Sequence, residues 1–75
     1  MKQLVETIAK ALVDHPSEVT VDEKQKDGML VLTLHVAPDD MGKVIGKQGR
    51  IARAIRTVVN AAAVEDGDKV IVEIQ

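Results

Sequence analysis

Gly42-Lys43-Val44-Ile45-Gly46-Lys47-Gln48-Gly49-Arg50-Ile51 is the stretch on which the reading of this chain turns. Gly46 and Gly49 bracket two polar residues, an aliphatic pair precedes them, and a basic residue stands on each side. The flanking residues read as helical, so the chain must leave one helix and start another almost at once. Glycine supplies the positive φ that such a turn demands, and its missing Cβ lets another backbone come close. The turn falls at the start of the second helix, where unpaired amides and the helix dipole favour an anion. Lys47 inside the turn, with Lys43 and Arg50 flanking it, suits phosphodiester groups. Val44, Ile45 and Ile51 supply aliphatic surface nearby, some of it necessarily core.

Three other readings compete. A plain helix-turn-helix corner would need the glycines for geometry alone and leave a solvated basic face. A nucleotide-binding P-loop fits poorly. Only three residues separate Gly42 from Gly46, Gln48 stands where a magnesium-binding Ser or Thr belongs, and a helix rather than a strand comes first. A Gly42/Gly46 helix-packing motif belongs to apolar membrane helices and does not fit here.

Charge points the same way as the turn. The chain has 75 residues and a formal net charge of −2. From Met41 to Val64 there are five basic residues (Lys43, Lys47, Arg50, Arg53, Arg56) and no acid, while the remainder carries five basic residues against twelve acidic ones. A third of the chain is therefore a positive segment on an acidic body, and the local field steers a polyanion more than the total does. Aromatic content is zero, so bases cannot stack on rings as they do in RRM and OB folds. Nucleic-acid binding must rest on backbone amides, aliphatic contacts and charge.

The length suits a single domain, residues 1–75, of modest buried fraction. There is no cysteine, hence no disulfide and no thiolate metal site. The N-terminus lacks the apolar region of a signal peptide, and no apolar run is long enough to span a membrane. A cytoplasmic protein is expected.

Outward from the turn, residues Gln3 to Val13 read as an amphipathic helix with Leu4, Ile8, Ala11 and Leu12 on one face, stopped by Pro16. Ser17 to Lys26 reads as a strand with a polar, exposed far half. Asp27-Gly28 signals a two-residue type I′ hairpin. Met29 to Val36 follows as the most apolar, central strand, with Leu30, Leu32, Leu34 and Val36 on one face and Met29, Val31, Thr33 and His35 on the other. Pro38-Asp39-Asp40 opens a short helix, Met41 to Ile45, with Asp39 or Asp40 placed to cap it. A long helix spans Arg50 to Val64, with Ile51, Ile55, Val58, Val59 and Ala62 on its inner side. Asp66-Gly67-Asp68 is the exit turn, and Lys69 to Gln75 is the last strand, with Val70, Val72 and Ile74 inward and Ile71 outward. His15 reads as a favourable charge at a helix end and His35 as a surface residue. Asp39 and Asp40 lack the further ligands that a metal site would need.

The order is helix, strand, strand, short helix, long helix, strand. The hairpin makes the first two strands antiparallel, and a right-handed helical crossover makes the third parallel to the second. The expected fold is an α+β two-layer sandwich, a three-stranded mixed sheet with three helices on one face.

Val44-Ile45-Gly46-Lys47-Gln48-Gly49 resembles the signature of the KH domain, whose Gly-x-x-Gly loop clamps about four nucleotides by their backbone. The order α-β-β-α-α-β resembles the type II KH topology across essentially the whole chain. Length and the Gly-Lys-Gln-Gly-Arg-Ile run resemble the small, single-domain bacterial KH RNA-binding proteins of the KhpA type. The aliphatic residue common three positions after the second glycine is Ala52 here, which alters the groove floor. The resemblance implies a non-enzymatic binder of single-stranded RNA, an RNA chaperone or post-transcriptional regulator, with no cofactor, no metal and no membrane association. Gly46, Lys47, Gln48, Gly49, Lys43, Arg50 and Arg53 would meet the backbone, with Val44 and Ile51 beside the bases. It also implies a homodimer, or a heterodimer with a larger multidomain KH-containing protein. Met29, Val31 and Ile71 offer a half-exposed apolar surface for such a contact. A protein-interaction adaptor acting mainly through dimerisation is the rival reading. An enzyme is a distant third, because no His–carboxylate pair or Cys nucleophile is present and Ser17 lacks a neighbouring base.

Overall fold

The computed structural model describes residues 1–67 and 69–75. Helix α1 (Lys2–Leu12) leads through a 3-10 turn at Pro16–Glu18 into β1 (Thr20–Lys26) and β2 (Met29–His35). A second 3-10 turn (Pro38–Asp40) opens α2 (Met41–Ile45). A third (Lys47–Gly49) joins it to α3 (Arg50–Asp66), and β3 (Val70–Ile74) closes the chain. The sheet order is β1-β2-β3, with β1 antiparallel and β3 parallel to β2. This is the α+β arrangement expected from the sequence.

Hydrophobic burial places the elements. Leu32 and Leu34 in the central strand are fully buried, and Val21, Val70 and Val72 join them on the covered face. Val5 and Ala9 from α1, Val44 from α2, and Ile55, Val59 and Ala63 from α3 complete the core. Each such side chain contributes roughly 1.5–3 kcal/mol when it is a Val, Leu or Ile. The hairpin turn has Asp27 at φ 52° and Gly28 at φ 77°, the two positive values that a type I′ turn requires. The polar half of β1, Glu23 to Lys26, is exposed at the sheet's edge.

Several expectations need correction. The first strand starts at Thr20 rather than Ser17, because Pro16 initiates a 3-10 turn in which the Glu18 and Val19 amides donate to the His15 and Pro16 carbonyls. Helix α1 is rotated about one residue from the expected face. Val5 and Ala9 are buried, Leu4 and Ile8 are half-buried, and Ala11 and Leu12 are exposed. In α3 the buried seam is Ala52, Ile55, Val59 and Ala63, whereas Val58 is 47% exposed. Of the expected exit turn, Asp68 lies outside the described residues. Gly67, at φ 76°, caps α3 through its amide to the Ala63 and Val64 carbonyls.

Candidate nucleic-acid interface

The turn between α2 and α3 is built from two glycines with different duties. Gly46 ends α2 at φ 76°, ψ 174°, a region that essentially only glycine occupies. Its amide still donates to the Gly42 carbonyl at 2.9 Å. A Cβ at Gly46 would lie 2.6 Å from Cγ1 and 2.9 Å from Cβ of Ile51, so this glycine is required by packing as well as by φ. Gly49, at φ 75°, ψ 16°, has open space where its Cβ would be. Between them Gln48 adopts a left-handed conformation, φ 58°, ψ 25°. The backbone thus coils tightly and holds Lys47 and Gln48 out in solvent, where both are exposed.

Helix α3 begins directly after Gly49. No side chain caps its start, and its first turn carries no acid. The Gly49 and Arg50 amides donate to the Gly46 and Lys47 carbonyls, and the positive end of the helix dipole lies beside the loop. Arg50 lies on the same rim, its Nη2 3.4 Å from Gln48 Oε1, and Arg53 is exposed one turn further along. Among the described residues, Lys47, Arg50 and Arg53 have no acidic partner. Lys47, Gln48, Gly49, Arg50 and Arg53 thus form one open basic rim.

Two of the expected site residues are placed elsewhere. Val44 is fully buried. It faces the core from the inner side of α2, so it is not a groove wall. Lys43 donates to Asp14 Oδ2 at 2.7 Å and lies 3.6 Å from Asp40 Oδ1. The hydrogen bond to Asp14 chiefly, and the charges of Asp14 and Asp40, outweigh desolvation and raise the Lys43 pKa above its ordinary value. Its charge is therefore paired within the protein, unlike those of the rim, although the side chain is 44% exposed. Ile51 is half-buried beneath Gly46 and lines an apolar groove of about 380 Å³ between α1 and α3, with Ile8, Leu12, Ala54 and Val58.

Asp40 does not cap α2, contrary to expectation. Its carboxylate is buried and accepts from the Asp14 amide at 3.1 Å and the His15 amide at 2.9 Å. It satisfies the backbone just past the end of α1 and ties that end to the start of α2. Burial alone would raise the Asp40 pKa. The two amides, with positive charge at His15 and Lys43, outweigh it and lower the value. No local sequence signal marks Asp40 for this role, since its partners are 25 and 26 residues away. Arg56 was also outside the expected site. Its Nε donates to the Val72 carbonyl at 3.2 Å, and the three-residue spacing of Arg50, Arg53 and Arg56 was the available clue.

A three-stranded mixed sheet with its helices on one face, and a Gly-x-x-Gly turn between the second and third of them, defines a KH-type domain with the type II element order. The KhpA/KhpB KH-domain family matches residues 2–74, and the chain belongs to that family. It is 65% identical over 74 residues to the RNA-binding protein KhpA of Clostridium acetobutylicum, covering 99% of each chain. It is 62% identical to the RNA-binding protein KhpA of Clostridium perfringens, again over 99% of each. Among solved structures, Era in complex with MgGDPNP and nucleotides 1506–1542 of 16S ribosomal RNA shares the fold, with a TM-score of 0.62 and 21% identity. That match covers 97% of this chain and 28% of the Era chain.

Proposed function

We propose that this protein binds single-stranded RNA, its Gly46–Gly49 loop clamping the backbone of about four nucleotides, and that it acts in the cytoplasm as an RNA chaperone or post-transcriptional regulator rather than as an enzyme. The observation that carries the reading is the open cationic rim: a left-handed loop that projects Lys47 and Gln48, beside a helix start with no side-chain cap, where Arg50 and Arg53 have no acidic partner among the described residues. Close relatives named as RNA-binding proteins support it. Gly49, with open space where its Cβ would be, leaves room for a phosphate to come close to the loop backbone. With three cations on the rim, the logarithm of affinity should fall against the logarithm of salt with a slope of about −2. Replacing Lys47 and Gln48 with Asp tests the clamp: RNA affinity and salt slope should both collapse while the fold is kept, and unchanged binding by a folded variant refutes it.

One module of this kind binds weakly, and pairing two raises avidity through effective concentration. The α1–α3 groove, with Val58 47% and Leu12 37% exposed, favours a second reading in which the domain pairs with another KH-fold chain. Met29, Val31 and Ile71 on the open sheet face, with Val31 and Ile71 paired across strands, are the other apolar surface available. Val58→Asp and Ile71→Asp, compared by sedimentation, distinguish the two faces.

A further inference from the structure

The free edge of β3 carries one anchored guanidinium. The Leu30 amide donates to the Lys69 carbonyl and the Gln75 amide donates to the Leu34 carbonyl, each at 2.8 Å. Main-chain groups alternate along a strand, so those of residues 69, 71, 73 and 75 face β2. The main-chain groups of Val70, Val72 and Ile74 therefore face away, on the open edge. Arg56 reaches across to this edge and donates Nε to the Val72 carbonyl at 3.2 Å in a part-buried contact. Among the described residues its two terminal nitrogens have no hydrogen-bond or ion-pair partner.

The helix places this group relative to the loop. At 1.5 Å per residue, Arg56 stands about 9 Å along the α3 axis from Arg50, within the span of a strand of about four nucleotides held at the loop. At 100° per residue, Arg53, Arg56 and Asn60 lie on the flank of α3 opposite Ala54 and Val58, the residues that line the apolar groove. A strand gripped at Gly46–Gly49 that runs along this flank brings its bases to the β3 edge.

We propose that Arg56 is a specificity-determining residue, presenting its terminal nitrogens as a fork to one base of the bound strand. This rests on the RNA-binding reading above. A guanidinium fork matches two adjacent acceptors. Guanine offers O6 and N7, and cytosine offers O2 and N3. Adenine and uracil interleave a donor with each acceptor, so the fork favours C and G over A and U. A single-stranded base exposes the edges needed for this contact. A phosphate oxygen pair would fit the same fork. The position of the fork favours a base, because Nε is held at the β3 edge, where the bases of a strand gripped at the loop would lie.

The test selects a short, fully randomised single-stranded RNA pool on wild-type, Arg56→Lys and Arg56→Gln proteins, with affinities then measured across a salt series. The wild type should enrich C or G over A and U at one position by about fivefold or more. Arg56→Lys should lose that enrichment while keeping pool affinity and salt slope. Arg56→Gln retains a donor for the Val72 carbonyl, so it should remain folded by circular dichroism and lose the same preference. Enrichment that survives in either variant overturns the proposal, as does a wild type with a flat base profile. A flat profile together with a salt slope shallower by about 0.7 in Arg56→Gln assigns the fork to a phosphate instead. If the wild type retains no RNA, the clamp reading falls and this one with it. If it retains RNA through Lys47 and Gln48 without base preference, only the Arg56 assignment falls.

Discussion

Lys43 and Lys47 stand four residues apart in the same acid-free run, yet they belong to opposite regions. Lys43 sits in a corner where every charge has an answer: Asp14 and Asp40 hold its ammonium, and Asp40 accepts two backbone amides. Lys47 sits on a rim where none does, beside an uncapped helix start with Arg50 and Arg53 exposed. The contrast separates charge that holds the fold from charge offered outward. A run of basic residues is therefore a poor measure of a binding patch until each cation's partner is known.

The largest effect should come from the joint between the regions. Gly46→Ala forces a side chain into a glycine-only conformation, at about 1–3 kcal/mol from the backbone alone, and sets a Cβ 2.6 Å from Ile51 Cγ1. Denaturant unfolding should register that loss together with weaker RNA binding. Gly49→Ala has open space and should cost only about 1–2 kcal/mol for its left-handed backbone. Equal losses would mean that packing against Ile51 is unimportant.

Next comes the rim. Lys47→Asp with Gln48→Asp should lower RNA affinity at least about tenfold, since each site loses a cation or neutral donor and gains an anion where phosphates approach. The thermal midpoint should barely move, because both side chains are exposed.

The corner should respond in the reverse sense. Asp40→Asn keeps the shape but loses one acceptor and the charge facing Lys43, so the thermal midpoint should fall by several degrees with salt slope unchanged. The sign with pH follows from the lowered Asp40 pKa. Its stabilisation is present above the ordinary carboxylate value of 3.8 and is lost as pH falls through the lowered value. Acid titration of Asp40→Asn should lack that part of the wild-type loss. The smallest effect is expected at the alkaline end. The raised Lys43 pKa gives a contribution that is complete below 10.5 and lost as pH rises through the higher folded value. Lys43→Gln should flatten that limb slightly, because the pair is half-exposed.

Much of this division is legible in the sequence. Strong local signals were sufficient for the hairpin at Asp27-Gly28, for α2 ending at Gly46, and for β2 as the central strand. The turn itself was legible because positive φ, helix ends and charge all register in neighbouring residues. Non-local contacts were not. Asp40 looked like a cap for its own helix and instead serves the end of another. Val44 looked like a groove wall, but on a helix of five residues no periodicity is long enough to say which face is inward. On α1 and α3 the apolar stripe is broad, and the choice of seam depends on what lies opposite. That moved the centre of α1 to Val5 and Ala9 and left Val58 in solvent.

The most direct test measures single-stranded RNA affinity across a salt series for wild type, Lys43→Gln and Lys47→Gln. Each substitution removes one positive charge. Lys47→Gln should make the log–log slope shallower by about 0.7, and Lys43→Gln should leave it at the wild-type value. Equal changes in the two variants, or a larger change at Lys43, would contradict the division between a closed corner and an open rim.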